Sequence, residues 1–204
     1  MPLIDDIKRL KLIDFIKEHG IVFKHVTLSS NKESEYYYDL KRVALHPDGA
    51  HLIADLLLEE VAKYHPKSVG GLELGAVPLA TAIAMKSTMN SRYDVGIKSF
   101  IVRKNPKKHG LEKKIEGEIE PPIVVVDDVI TSGNSVLDAV TAVIEKGFNV
   151  AHVVCVIDRE EEGIMNVLKE KHIKYSSLFT HSDFKPFIEE RLKKNQQNEK
   201  IRPN

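Results

Sequence analysis

A run of four apolar residues ending on two adjacent carboxylates, Ile123-Val124-Val125-Val126-Asp127-Asp128, constrains this chain more than any other stretch. With no polar interruption, such a run cannot present a wet face. It reads as a strand buried on both sides, the habit of a parallel sheet covered by helices. Thr131, Ser132, Gly133, Asn134 and Ser135 follow, small residues that turn the chain and donate hydrogen bonds. From Val136 the apolar residues fall at Val136, Leu137, Val140, Val143 and Ile144, a helical spacing. Strand, acidic pair, hydroxyl-rich turn and helix N-terminus together make an anion site, with backbone N–H groups and the helix dipole aimed at a phosphate. Carboxylates beside such a cradle suit ribose hydroxyls or Mg²⁺.

Plainer readings compete. Ser or Asn at such a turn is often only a helix cap. An acidic pair after a valine run also marks the metal-side strand of P-loop NTPases. That reading requires G-x-x-x-x-G-K-[S/T], which occurs nowhere in the 204 residues; the dinucleotide fingerprint G-x-G-x-x-G is absent too. Thirty Lys+Arg against thirty Asp+Glu leave no global field to draw a nucleic acid. The lone cysteine, Cys155, lies in the apolar run Val153–Ile157 and reads as packing rather than a reactive thiol. One cysteine excludes an internal disulfide framework and fits a reducing cytoplasm. Neither a signal peptide nor a membrane-spanning apolar run is seen.

In chain order, Leu3, Ile7, Leu10, Ile13, Phe15 and Ile16 describe an amphipathic helix ending at Gly20. Ile21–Leu28 predicts a strand, residues 29–35 a polar turn, and Tyr36–Leu40 an aromatic strand. On that strand Tyr36 and Tyr38 share one face and Tyr37 takes the other. His46, His51 and His65 lack metal-ligand spacing and read as solvated or capping. A helix follows from Leu52 to Val61, then a strand at Lys67–Leu72. Pro78 suits the first turn of the next helix, Leu79–Met85. Ile97–Val102 reads as a strand opening into a long polar segment, 103–118, nearly devoid of apolar anchors. Six cations and His109 fall within residues 103–114 of a charge-neutral chain, which points to polyphosphate capture by a lid. Val150–Ile157 is another buried strand, and Arg159 stands just past its C-terminal end, the edge where open α/β sheets bind ligands. A helix at 164–171, a strand at 174–178 and a helix at 183–192 complete the reading. Residues 193–204 read as a frayed polar tail.

The thirteen residues 123–135 resemble the phosphoribosyl-pyrophosphate signature of the type I phosphoribosyltransferases. Over about Leu12 to Gly163 the chain resembles the orotate phosphoribosyltransferase family. Four blocks carry the likeness: Ser34…Tyr37-Tyr38-Asp39-Leu40; Gly71–Ala80; Arg103-Lys104…Lys107…His109-Gly110 with Ile115-Glu116-Gly117; and the signature followed by Asp158-Arg159. The resemblance implies one structural domain: an α/β fold whose central parallel sheet is flanked by helices, with a small N-terminal hood. Residues 1–45 would form the hood beside the base site, 46–192 the core and 193–204 the tail. It also implies a small-molecule enzyme acting on phosphoribosyl pyrophosphate and orotate, with no nucleic acid and no membrane. Asp127 and Asp128 would serve the ribose and an Mg²⁺ held mainly by substrate, and Thr131, Ser132, Gly133, Asn134 and Ser135 would cradle the 5′-phosphate. Arg103, Lys104, Lys107 and His109 would hold pyrophosphate, with Lys107 and His109 counted with the acidic pair as catalytic. Tyr37 and Tyr38 would lie by the orotate ring and Arg159 at its polar edge. A homodimer sharing the Arg103–Gly117 loop is implied. Ser29-Ser30-Asn31 replaces the family's usual Lys-Ser-Gly, which leaves another acceptor base as the alternative; a nucleotide-sensing regulator that keeps the donor site is a third reading.

Overall fold

The computed structural model describes residues 4–27, 33–89, 96–105, 114–161, 168 and 173–201. Helix α1 (Ile4–Phe15) ends in a π-turn at Ile16–Gly20 and leads into a hairpin of β1 (Ile21–Thr27) and β2 (Glu33–Tyr38). Short α2 (Lys41–Ala44) and long α3 (Pro47–Ala62) come next, then β3 (Ser68–Leu72), α4 (Ala76–Met89) and β4 (Lys98–Val102). The chain finishes with β5 (Ile115–Glu116), β6 (Ile123–Ile130), α5 (Asn134–Glu145), β7 (Val150–Asp158), β8 (Tyr175–Thr180) and α6 (His181–Ile201). The main sheet has six strands in the order β5-β4-β3-β6-β7-β8, parallel throughout except β5 at the edge. The hairpin is a separate two-stranded sheet.

Strand β6 accounts for the apolar run Ile123–Val126. Ile123 and Val125 face a core formed with α5, through Val136, Val140 and Val143. Val124 and Val126 face the opposite core, shared with α3 and α4. All four are fully buried, worth about 1.5–3 kcal/mol apiece. The strand order reverses between β3 and β6, whose crossovers lead to opposite sides of the sheet, and there open α/β sheets carry ligand crevices. Pairing of β6 with β3 stops at Gly70↔Val125, while pairing with β7 runs on to Ile130↔Asp158. Asp127 therefore lies beyond the β3 ladder, in a notch at the C-terminal edge.

The hairpin is fixed as a hood by aromatic packing on α6. Phe23 meets Phe187 edge-on at 6.2 Å, Tyr38 meets Phe184 at 5.8 Å, and the Tyr38 hydroxyl shares a 2.9 Å hydrogen bond with His181 Nδ1. Tyr36 and Tyr38 share the inner face as the alternation predicts, their rings 6.0 Å apart. His46 is the N-cap of α3, its ring nitrogen accepting from the Asp48 N–H at 3.3 Å.

Several expectations are corrected. Strand β2 begins at Glu33, within the predicted turn, because Glu33 and Ser34 pair with Thr27 and Val26. It ends at Tyr38; Leu40 instead opens α2, which periodicity over four residues could not reveal. The segment after Arg103 does have an apolar anchor: Ile115 is buried and pairs with Val102, so the chain returns to the sheet edge as β5. Helix α6 runs past Leu192 to Ile201, so residues 193–201 continue a helix. The predicted helix at 164–171 lies almost wholly outside the described residues.

Candidate active site

Three cavities meet at the C-terminal edge of β6. The first, about 270 Å³, is lined by Thr131, Ser132, Gly133, Asn134 and Ser135 with Lys104, Glu73, Asp127 and Asp138. Gly133 stands at φ +80°, a left-handed turn that lets the chain leave the strand and start α5. Leu137 makes the first intrahelical bond, to the Gly133 carbonyl at 2.9 Å, and no side chain caps the helix at Gly133. Uncapped N–H groups in a first helical turn suit an anion.

The second cavity, about 320 Å³, is lined by Lys41, Glu73, Leu74, Gly75, Asp127 and Asp128. The Asp127 carboxyl is buried and accepts the Asp128 N–H at 3.0 Å; Asp128 accepts the Val129 N–H at 2.9 Å. Burial, then the neighbouring negative charge of Asp128, push the Asp127 carboxyl well above the usual carboxylate range. Asp128 is the more open of the two. It owes its room to Gly75, where a Cβ would lie 2.5 Å from the Asp128 Oδ1. Glu73 also accepts the Lys104 N–H at 2.9 Å, tying the β3 turn to the start of the basic segment.

The third and largest cavity, about 450 Å³, lies under the hood, between Lys24, Val26, Thr27, Tyr37 and Tyr38 on one side and Val129, Thr131, Ser135 and Arg159 on the other. Arg159 continues the β6–β7 ladder, its N–H bonded to the Ile130 carbonyl at 3.0 Å. Its guanidinium pairs with Glu161 at 3.1 Å and sits 5.8 and 5.9 Å from the Tyr36 and Tyr38 ring centres. Burial raises the Tyr38 phenol above its ordinary value and lowers His181, with Arg159 acting in the same direction on the latter. The Tyr38–His181 pair is therefore held neutral. Val129 and Ser135 border all three cavities, so the three form one continuous site.

The structure brings together Asp127, Asp128, Lys104 and Thr131–Ser135 from the sequence reading, and Tyr37, Tyr38 and Arg159 across from them. Arg103 borders none of the three cavities; its guanidinium turns to Glu116 at 3.7 Å and to the Asn105 carbonyl at 3.4 Å. Lys107, His109 and Ser29–Asn31 lie outside the described residues. Lys24, Lys41, Glu73 and Val129 were missed. Glu73 carried a usable signal, since it directly follows β3 as Arg159 directly follows β7; Lys24 and Lys41 carried none, because their placement depends on how the hood folds over the sheet.

An anion cradle and acidic pair at the switch point, roofed by a separate hairpin, are the marks of a phosphoribosyltransferase, and the sequence model of the phosphoribosyl transferase domain matches residues 39–184. The orotate phosphoribosyltransferase of Aquifex aeolicus is 44% identical over 87% of this chain and 97% of its own. That of Corynebacterium glutamicum is 41% identical, over 86% and 92%. A crystal structure of Mycobacterium tuberculosis orotate phosphoribosyltransferase in complex with 5-phospho-alpha-D-ribosyl 1-diphosphate superposes with TM-score 0.69 at 36% identity, covering 86% of this chain and 98% of that one. The chain belongs to the orotate phosphoribosyltransferase family.

Proposed function

We propose that the protein transfers the phosphoribosyl group of 5-phosphoribosyl 1-pyrophosphate to orotate, giving orotidine 5′-monophosphate and pyrophosphate in pyrimidine synthesis. The observation that carries this reading is the continuity of the three cavities through Val129 and Ser135. A 5′-phosphate in the Thr131–Ser135 cradle sets the ribose beside Asp127. The pyrophosphate then falls against Lys41, Gly75 and Asp128, and the base under the hood between Tyr37 and Arg159.

Chemistry is a displacement at ribose C1: the C1–O bond to pyrophosphate breaks, and the bond to the orotate ring nitrogen forms. The protein supplies no covalent nucleophile. Its work is to orient the two reactants and to answer positive charge developing on the sugar with the carboxylates of the notch. Glu73, Asp127 and Asp128 offer hard oxygen donors suited to Mg²⁺. Among the described residues no cluster of three or more His, Cys, Asp or Glu could cage a metal. An ion shared with substrate, with the open Asp128 as its main protein partner, would suit these donors. When bound, Mg²⁺ neutralises charge on the departing pyrophosphate. We place the reaction in the cytoplasm, which suits a chain whose single cysteine is buried.

We also propose a homodimer that shares the basic segment. Leu74 at the second cavity, and Met85 and Met89 further along α4, are 70%, 53% and 71% exposed, apolar surface that a second subunit would cover. Turnover assayed base by base with phosphoribosyl pyrophosphate tests the acceptor; exclusive use of another base overturns it. Mixing a D127N/D128N chain with a K107A chain tests the sharing. If the loop acts in trans, half of the dimers are mixed and each has one intact site, restoring roughly a quarter of wild-type activity. An exchanged mixture that stays inactive overturns the shared site.

A further inference from the structure

The base cavity has a charge imbalance that Arg159 does not account for. Its lining includes two cations, Lys24 and Arg159, and no carboxylate. Arg159 is already matched by Glu161 at 3.1 Å, with the two side chains only 10% and 17% exposed. Lys24 has no carboxylate partner among the described residues.

A β-bulge explains why. Phe23 pairs with Tyr36 and Val26 with Ser34, so Lys24 and His25 together oppose the single residue Glu35. His25 takes both acids of the facing strand, Nε2 to Glu33 at 2.8 Å and Nδ1 to Glu35 at 3.0 Å. Lys24, which a regular antiparallel register would set against a glutamate, is left on the cavity wall without one. An uncompensated cation facing Thr131 and Arg159 across a cleft favours an anionic occupant.

We propose that Lys24 is a specificity-determining residue of the base cavity, the cation that meets the carboxylate of the acceptor. The inference rests on the function proposed above. Arg159, planar and already paired, reads the hydrogen-bonding edge of the ring; Lys24 supplies the net charge that separates a carboxylated pyrimidine from a neutral one.

The test compares wild type with K24Q and K24R, measuring KM for orotate, KM for phosphoribosyl pyrophosphate, and inhibition by uracil, which has the same ring without the carboxylate. Lys24 is exposed on its strand, and thermal melts verify that the variants fold. K24Q is expected to raise the orotate KM at least about tenfold, as loss of a charged hydrogen bond does. The donor KM and the uracil inhibition constant stay within about twofold of wild type, and K24R recovers most of the loss. An unmoved orotate KM in K24Q overturns the inference alone. So does a parallel rise in the donor KM, which would assign Lys24 to the 5′-phosphate, or a parallel weakening of uracil, which would make it a wall of the pocket. Wild-type protein that uses another base and not orotate overturns the proposed function, and this inference with it.

Discussion

The two halves of the site are made of different materials. The phosphate cradle is contiguous in sequence, from Asp127 to Ser135, and consists largely of main chain at a strand end and a helix start. The base cavity is assembled from β1, β2, the β6 edge and the end of β7, and consists of side chains. A main-chain site depends on one turn having the right backbone; a side-chain site depends on several distant elements arriving in register. The first tolerates exchange of side chains and is intolerant of backbone change, whereas the second behaves the other way round.

The largest effect is expected where the halves meet. D127N/D128N should lower turnover by at least about a hundredfold, the usual scale for losing key electrostatic groups, with the far-UV spectrum unchanged. Near-normal activity would remove the acidic pair from the site. Next, Arg159→Ala should raise the orotate KM roughly tenfold or more, the scale of a lost charged hydrogen bond, while moving the donor KM far less. Equal shifts would mean that Arg159 serves the fold and that the two halves are not separable.

Gly133→Ala probes the opposite half. An alanine at φ +80° costs about 1–2 kcal/mol, read as a melting-temperature loss of about 2–8 °C. It should raise the donor KM and leave the orotate KM alone; an unaffected donor KM would show that the cradle is not held by its backbone. The smallest effect is expected from pH on the hood. The side-chain hydrogen bond with Glu35 and the charge of Glu33 raise the His25 pKa above 6.5. The clamp on the bulge is therefore complete below that pH and is lost as pH rises through the raised value. Across this window the orotate KM should rise by no more than about threefold, since exposed ion pairs contribute little. The donor KM should stay flat, and H25N should abolish the dependence. A pH response in the donor KM that follows His25 would break the division between the halves.

The same division decides what could be read from the sequence. The Ile123–Ser135 stretch was legible because its fold is local: buried run, turn residues and helical period lie in order along the chain. Arg159 was legible because strand ends mark ligand edges in α/β sheets. The extent of β2 was not, since polar Glu33 and Ser34 join the strand only through partners on β1. Nor were Lys24 and Lys41, placed by a bulge and by the docking of the hood. Ile115 was passed over because a two-residue strand has no period to detect.

The shared border at Val129 and Ser135 bears on how such a protein can change. In the proposed arrangement a substitution at either position would reach donor, leaving group and acceptor together, so an altered base preference gained there would come with damaged donor binding. Lys24, Val26, Thr27, Tyr37, Tyr38 and Arg159 line the base cavity and neither of the other two. Drift toward a new acceptor, or a library built to select one, has those six positions as its separable alphabet.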